Sequence, residues 1–491
     1  MDANIDSQIG ATEKVLSESH KVPVWVFWRA RRYLLAMMLF LGFFNSYSLR
    51  VNLSVAIVAM TQLNNITSSN GTIYLERYFD WDTKIQGYLL GSFFYGYIFT
   101  QIVGGYLCIR FGGKPVIAAG IGVASVLTVL SPIAANINIY LFLTVRILVG
   151  VFEGIITPSA HYLHARWYPP LEKTRLVTIG LSGTYFGTVI SLPLSSLLAS
   201  TLGWESIFYV SGLIGIIWTM FFLLIVKNKP SEDSKISKHE LTFITESLKV
   251  TKPAETSLSV PWRAILSSKH VWAASIGVTC EIWGYYTLLT QLPKFMKYCL
   301  NFDLNAAGAV SALPYIAVTI VLQASGHLAD YLATRKSFTI TQLRKIFIGV
   351  GFMGQCLFLV ISVYWLSKLG TIFCLIVAVG FGGFAMSAFC VNILDMAPNY
   401  GPVITAMANT LATVPGVVSP IITGYLVTDE TSVEQWRIIF YITASIYLLG
   451  SIIFICFGTG ELQPWDNPEI KYKKTDDING HNNKTFNAEE T

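Results

Sequence analysis

Twelve stretches of about twenty apolar residues run through this chain, and each is long enough to cross a bilayer as a helix. Split at turn signals, they cover roughly 33–58, 86–108, 115–134, 139–164, 175–200, 205–227, 270–291, 305–328, 344–366, 370–394, 402–427 and 437–458. Charged residues make up only 13% of the 491, about half the ~25% of an ordinary soluble domain. Too few charges remain to clothe a soluble surface. A cytosolic enzyme, a disordered chain and a nucleic-acid binder are excluded on that ground. The expected fold class is an all-α membrane protein with twelve transmembrane helices.

No signal peptide is expected: the first apolar run follows a polar leader, is too long for a signal core and lacks a small-x-small cleavage site. Basic residues set the orientation. With the amino terminus in the cytoplasm, the outer loops hold Arg77, Lys84, Lys294, Lys297, Lys368 and Arg437. Arg50 and Arg146 lie within spans, and the remaining 26 of the 34 basic residues fall in tails and inner loops. Both termini are therefore expected in the cytoplasm. The sequons at Asn65 and Asn70 then lie in the first outer loop, where a glycan can be attached. The sequon at Asn483 falls in the cytoplasmic tail and reads as chance. Six of the seven cysteines sit in apolar tracts, Cys299 alone reads as a loop cysteine, and no spacing suggests a disulfide frame or a metal site.

The chain repeats itself. Trp204-Glu-Ser-Ile-Phe-Tyr209 enters the sixth span and Trp436-Arg-Ile-Ile-Phe-Tyr441 the twelfth, an offset of 232. Gly105-Tyr-Leu-Cys-Ile-Arg-Phe-Gly-Gly-Lys114 follows the second span, and a related stretch from Gly326 to Lys336 follows the eighth, an offset of 221. Two matches at equivalent places argue for a duplicated six-span unit. The expected organisation is a cytoplasmic tail (1–28), a six-helix bundle (29–227), a cytoplasmic linker (228–269), a second six-helix bundle (270–458) and a cytoplasmic tail (459–491). Ser237-Lys-His-Glu240 has capping-box spacing, which predicts a short linker helix after it.

Ionisable residues inside spans cost roughly 2.5–3.5 kcal/mol each at the bilayer centre and so need a partner, a cavity or a function. Arg50, Arg146, Glu153 and Glu281 are the four that stand out. Arg146 and Glu153 are seven residues apart. That spacing puts them within about 20° of one helix face but ~10 Å apart along the axis. They would line one cavity wall at two depths without pairing. Two guanidinium groups facing such a cavity make an anion site, because arginine stays charged and offers a planar fork. Burial and neighbouring arginines act in opposite senses on a glutamate there, so its proton could follow substrate occupancy. A static interhelical network through Arg146 and Glu153, snorkelling of Arg50 to the headgroups, and simple capping by Glu281 remain open alternatives. His161, near the inner end of the fourth span, could equally be a satisfied structural histidine. Gly180, Gly183, Gly187 and Pro193 in the fifth span, and Pro415, Gly416, Pro420 and Gly424 in the eleventh, suit helices that rock or pack closely.

The chain resembles the solute carrier family 17 anion/cation symporters of the major facilitator superfamily, with its 6+6 pseudo-symmetric architecture. The resemblance runs from Arg32 to Trp465. It is carried by Leu49-Arg-Val-Asn-Leu-Ser54, Gly91-Ser-Phe-Phe-Tyr-Gly-Tyr97, Thr100-Gln-Ile-Val-Gly-Gly-Tyr106, Arg146-Ile-Leu-Val-Gly-Val-Phe-Glu-Gly154 with Pro158 and His161, Trp167-Tyr-Pro-Pro-Leu-Glu-Lys173, Ser311-Ala-Leu-Pro-Tyr315, Leu394-Asp-Met-Ala-Pro398 and Asn409-Thr-Leu-Ala-Thr-Val-Pro-Gly416. The sialin-like and insect inorganic phosphate cotransporter branch is the nearest in pattern. The resemblance implies that Arg50 and Arg146 contact the anion, that Tyr185 lines the cavity, that Glu153 couples protons and that His161 tunes it. It also implies a cytoplasmic gate latch at Gly326, Asp330 and Arg335. The first-half copy of that latch has Ile109 in place of the aspartate. Leu90 and Glu281 stand where the glutamate transporters carry a histidine and an arginine, which argues against a glutamate-loading carrier.

The expected function is a secondary active transporter, not an enzyme. It would move a small anion (phosphate, a sialic acid-like sugar or another carboxylate) with Na⁺ or H⁺, by alternating access and without a cofactor. The alternative is an uncoupled arginine-lined channel or uniporter. An enzyme built on His161, Glu153 or His327 lacks a nucleophile–base constellation. The expected partners are the anion and the lipid bilayer, with no nucleic acid, and the expected state is a monomer. No acidic dileucine signal occurs in Met1–His20, which points to the plasma membrane over a lysosomal or vesicular one.

Overall fold

The computed structural model describes residues 30–67, 73–250, 260–335, 338–365, 367–398 and 400–466. The leader, the last 25 residues and Asn70 therefore lie outside the described residues, as do the side chains of Asn65 and Asp330. Among the described residues the regular structure is helical apart from one hairpin, which the expectation of an all-α chain did not include. Strand β1 (Leu63–Thr67) pairs antiparallel with β2 (Ile73–Arg77) in the loop after the first span, and Asn65 lies on β1.

The helices are α1 (Arg31–Thr61), α2 (Thr83–Phe111), α3 (Gly113–Ile137), α4 (Ile139–Gly154), α5 (Ile156–Trp167), α6 (Pro170–Leu202), α7 (Glu205–Ile225), α8 (Lys238–Val250), α9 (Trp262–Ser267), α10 (Lys269–Lys294), α11 (Leu304–Thr334), α12 (Ile340–Tyr364), α13 (Lys368–Met396), α14 (Gly401–Leu426) and α15 (Val433–Phe457). With α4 and α5 taken as one broken span, ten helical segments among the described residues are long and apolar enough to cross a membrane. The eleventh is α2, bent by 53° between Gln101 and Val103. The twelfth, α10, is not among them by composition, because Glu281, Thr287, Thr290, Gln291 and Lys294 interrupt its apolar run; it is nonetheless a continuous helix of 26 residues. Each predicted span falls on a helix, with ends shifted by a few residues.

The chain divides into two compact units, 1–78 with 92–257, and 79–91 with 258–491. In the first, α1 packs on α6 and α3 on both α4 and α7. The second repeats this scheme: α10 packs on α14 and α12 on both α13 and α15. The duplicated tryptophans hold equivalent places, since Trp204 and Trp436 are both buried at the entrances of α7 and α15.

Small residues make these approaches possible. A Cβ on Gly183 of α6 would strike the Phe40 carbonyl oxygen of α1, and one on Gly150 of α4 the Phe93 carbonyl oxygen of α2. The linker helix α8 forms where the capping-box spacing predicts it, with Ser237 Oγ accepting from the Glu240 amide at 3.1 Å. Glu240 itself turns to another helix end. Its carboxylate accepts from the Arg31 and Arg32 amides at 3.0 and 3.1 Å, and so caps α1. An anionic group there satisfies two of the free amides at a helix amino terminus and complements its dipole.

Candidate functional site

Helix α4 starts on Asn138, whose side chain accepts from the Tyr140 amide at 2.8 Å. Its inward face then follows helical spacing through Phe142, Val145, Arg146, Val149, Gly150 and Glu153, all buried. The helix breaks after Glu153 and Gly154, at Ile155. Pro158 explains this, since it lacks the amide that would bond the Gly154 carbonyl. Glu153 is thereby placed at an interruption in a span, and Gly150 lets α2 come close beside it.

Arg50 in the first span and Glu153 in the fourth lie 103 positions apart, yet the two meet. Arg50 Nη2 lies 3.6 Å from Glu153 Oε2, and the side chains are 5% and 0% exposed. Ser46, one turn earlier on α1, donates its hydroxyl to the same Oε2 at 2.7 Å. Glu153 Oε1 accepts no hydrogen bond from the described residues. Aromatic rings surround the Arg50 guanidinium. Its central carbon lies 4.6 Å from the Tyr47 ring centre, 4.5 Å from Phe93, 4.7 Å from Tyr97 and 5.9 Å from Phe94. Ring faces stabilise a desolvated guanidinium by about 2 kcal/mol or more in such settings.

Arg146 differs. It is 1% exposed, and both Nη atoms reach only the Leu49 carbonyl oxygen, at 3.4 Å. Its Nε has no partner among the described residues. A guanidinium carries five donors, so one long, shared acceptor leaves most of them unspent. No ion pair joins Arg146 to Glu153, as their seven-residue spacing requires. With Glu153 ionised, the two arginines and one carboxylate sum to one positive charge inside unit one.

The remaining predicted residues are more scattered. His161 is exposed on α5, beyond the break, with its ring 5.5 Å from that of His164. His164, which sequence reasoning passed over, is buried, stacks on Tyr168 at 5.0 Å and has no hydrogen-bond partner on either ring nitrogen among the described residues. Tyr185 is half-buried on α6. Gly326 and Asp330 lie on α11, and Arg335 ends it with its guanidinium 4.7 Å from the Tyr331 ring. One ion pair of unit two was not anticipated: Arg344 of α12 binds Asp395 of α13 at 2.8 Å. In unit two, the buried Glu281 accepts from Gln355 Nε2 at 2.8 Å. The aromatic surround of Arg50 was legible only in part. The motif Gly91–Tyr97 holds three of its rings, but nothing in one helix's periodicity says that they face a cation on another.

The sequence pattern of the Major Facilitator Superfamily matches residues 39–410. Human sialin is 38% identical over 454 residues, covering 88% of this chain and 90% of sialin. Bovine vesicular glutamate transporter 1 is 38% identical over 456 residues, covering 92% of this chain and 81% of its own. Among solved structures, a bacterial homolog of the human lysosomal transporter Spinster, inward-facing and occupied, superposes with a TM-score of 0.67 at 15% identity, over 87% of this chain and 96% of that one. A D-xylose-proton symporter gives 0.61 at 15% identity, over 88% and 98%.

Proposed function

The chain belongs to the Major Facilitator Superfamily, and within it to the solute carrier 17 family of sialin and the vesicular glutamate transporters; from that premise we propose that it carries a small anion together with a proton, by alternating access. The observation that carries this reading is Arg146: a fully buried guanidinium with most of its donors unspent among the described residues. An uncompensated buried cation costs several kcal/mol, and a carboxylate or phosphate group offers it a matching bidentate partner.

Glu153 supplies the coupling. While ionised it occupies Arg50 and leaves one net positive charge for the anion. Once protonated it releases Arg50 and the cluster carries two. Proton and anion thus favour each other's binding, as linkage requires of a symporter. Arg50 and Arg146 bind the anion, Tyr185 lines its path, Glu153 takes the proton and His161 tunes it; Gly326, Asp330 and Arg335 latch one side. Phosphate, a sialic acid-like sugar or another carboxylate fits this charge arithmetic, and sodium remains the competing coupling ion.

Both termini are assigned to the cytoplasm, which puts Asn65 and Asn70 on the opposite side; glycan occupancy there tests the orientation. The leader favours the cell surface, whereas the vesicular transporters among the relatives favour an internal membrane; microscopy of the tagged full chain decides. The function itself is tested in proteoliposomes with labelled phosphate, sialic acid and other carboxylates under imposed pH and sodium gradients. Concentrative uptake driven by an inward proton gradient is expected. Uptake indifferent to both gradients would replace the symporter with a channel or uniporter.

A further inference from the structure

Unit two holds a buried acid that the anion site does not use. Glu281 is 7% exposed at the middle of α10. Its Oε2 accepts from Gln355 Nε2 of α12 at 2.8 Å. Among the described residues no lysine, arginine or histidine pairs with it, and the ion pairs of this unit, Lys294–Glu430 and Arg344–Asp395, involve other acids. Among the described residues no charged side chain of a neighbouring element is placed against it. Helix α13 presents Gly382 and α15 the Tyr447 hydroxyl, with Tyr315 of α11 next to Tyr447, while α14 contains no acidic, basic or histidine residue. Cys280 precedes it on its own helix.

The space over Gly382 shows what the pair is built for. A methyl group added there would lie 2.7 Å from Glu281 Oε1 and 3.3 Å from Gln355 Oε1. Two acceptor oxygens therefore converge on one pocket, and the glycine leaves it open. An ionised carboxylate would set its charge against the amide oxygen, with no donor between them. A proton on Oε1 removes both faults. It neutralises an acid that otherwise costs several kcal/mol to bury, and it can complete a two-point acid–amide pair, with Gln355 Nε2 donating to Oε2 and Glu281 Oε1–H donating to Gln355 Oε1.

We propose that Glu281 is a second proton-binding group, held as a carboxylic acid by Gln355 and discharged to water when the carrier's cycle opens the pair. The proton enters as hydronium and leaves as hydronium, so no other reactant is needed. The coupling consequence rests on the symporter reading above; the protonation itself does not.

Infrared spectroscopy of the purified full-length protein at neutral pH tests the protonation. A carboxylic-acid carbonyl band is expected that Glu281→Gln removes and Glu153→Gln leaves in place. Gln355→Leu, which breaks the amide pair while keeping the acid, should move that band to the frequency of an unbonded acid, and it serves equally if Glu281→Gln does not fold. A wild-type spectrum without such a band, a band unmoved by Gln355→Leu, or a band abolished by sodium would overturn the proposal, the last by making this a sodium site. In proteoliposomes, Glu281→Gln should carry one proton fewer per anion at static head; an unchanged ratio would remove Glu281 from coupling. The band without any uptake would leave the proton site standing while the transport reading failed.

Discussion

Ser46 and Glu153 lie 107 positions apart in the chain and are joined by a 2.7 Å hydrogen bond between α1 and α4. The hydroxyl holds the carboxylate on the side where Arg50 approaches, and leaves Oε1 without a partner among the described residues. A hydrogen bond to a charged acceptor is worth about 1.5–3 kcal/mol. Ser46→Ala should therefore slow proton-driven uptake by roughly tenfold or more while the protein stays folded. Wild-type uptake kinetics in this variant would detach Ser46 from the site.

Glu153→Gln keeps the shape of the side chain and removes its titration. Accumulation against an anion gradient should be lost, while anion exchange across the membrane, which needs no net proton movement, should persist in part. Uphill accumulation by this variant under a proton gradient would show that the coupling group lies elsewhere.

Arg146→Lys keeps the positive charge and gives up the planar fork. The apparent KM for the anion should rise at least tenfold, about 1.4 kcal/mol, with expression unchanged. Saturation of uptake at the wild-type concentration would refute bidentate recognition by Arg146.

Gly150→Ala places a methyl group against the Phe93 carbonyl oxygen, which is helix backbone and has little room to yield. Overpacking of this kind costs about 1–3 kcal/mol, so the melting temperature in detergent should fall and uptake with it. Gly180→Ala is the control, because its nearest neighbour would be Leu39 Cβ at 3.6 Å, an ordinary contact. Equal stability of the two variants would argue that α2 and α4 do not rely on this approach.

Glu240→Gln weakens the cap on α1 and the ion pair with Arg32, whose Nη1 lies 3.1 Å from Glu240 Oε1 with both side chains 6% exposed. Breaking a buried pair leaves an uncompensated charge and costs roughly 3–5 kcal/mol. Here Arg32 retains Glu172 at 2.7 Å, so the loss should fall at or below the lower end of that range. Faster proteolysis within 228–250 together with a lower melting temperature checks it; neither change would mean that α8 docks without Glu240.

What could be read in the chain alone was whatever depends on neighbours in sequence. Lipid demands about twenty apolar residues per helix, so the spans are visible as runs. Duplication leaves similar strings at similar offsets, so the two-unit plan is visible in Trp204 and Trp436. Helical geometry separates Arg146 from Glu153, so their failure to pair was foreseeable. Which residues complete those charges was decided only in three dimensions. Arg50 reaches Glu153 because α1, α2 and α4 come together, and the α2–α4 approach passes through Gly150, whose lack of a side chain admits Phe93. Gln355 reaches Glu281 across 74 residues because α10 and α12 both pack on α13 and α15 in unit two. Periodicity records which face of a helix is buried; it does not record which other helix covers that face, and the partner of a buried charge is set by that second fact.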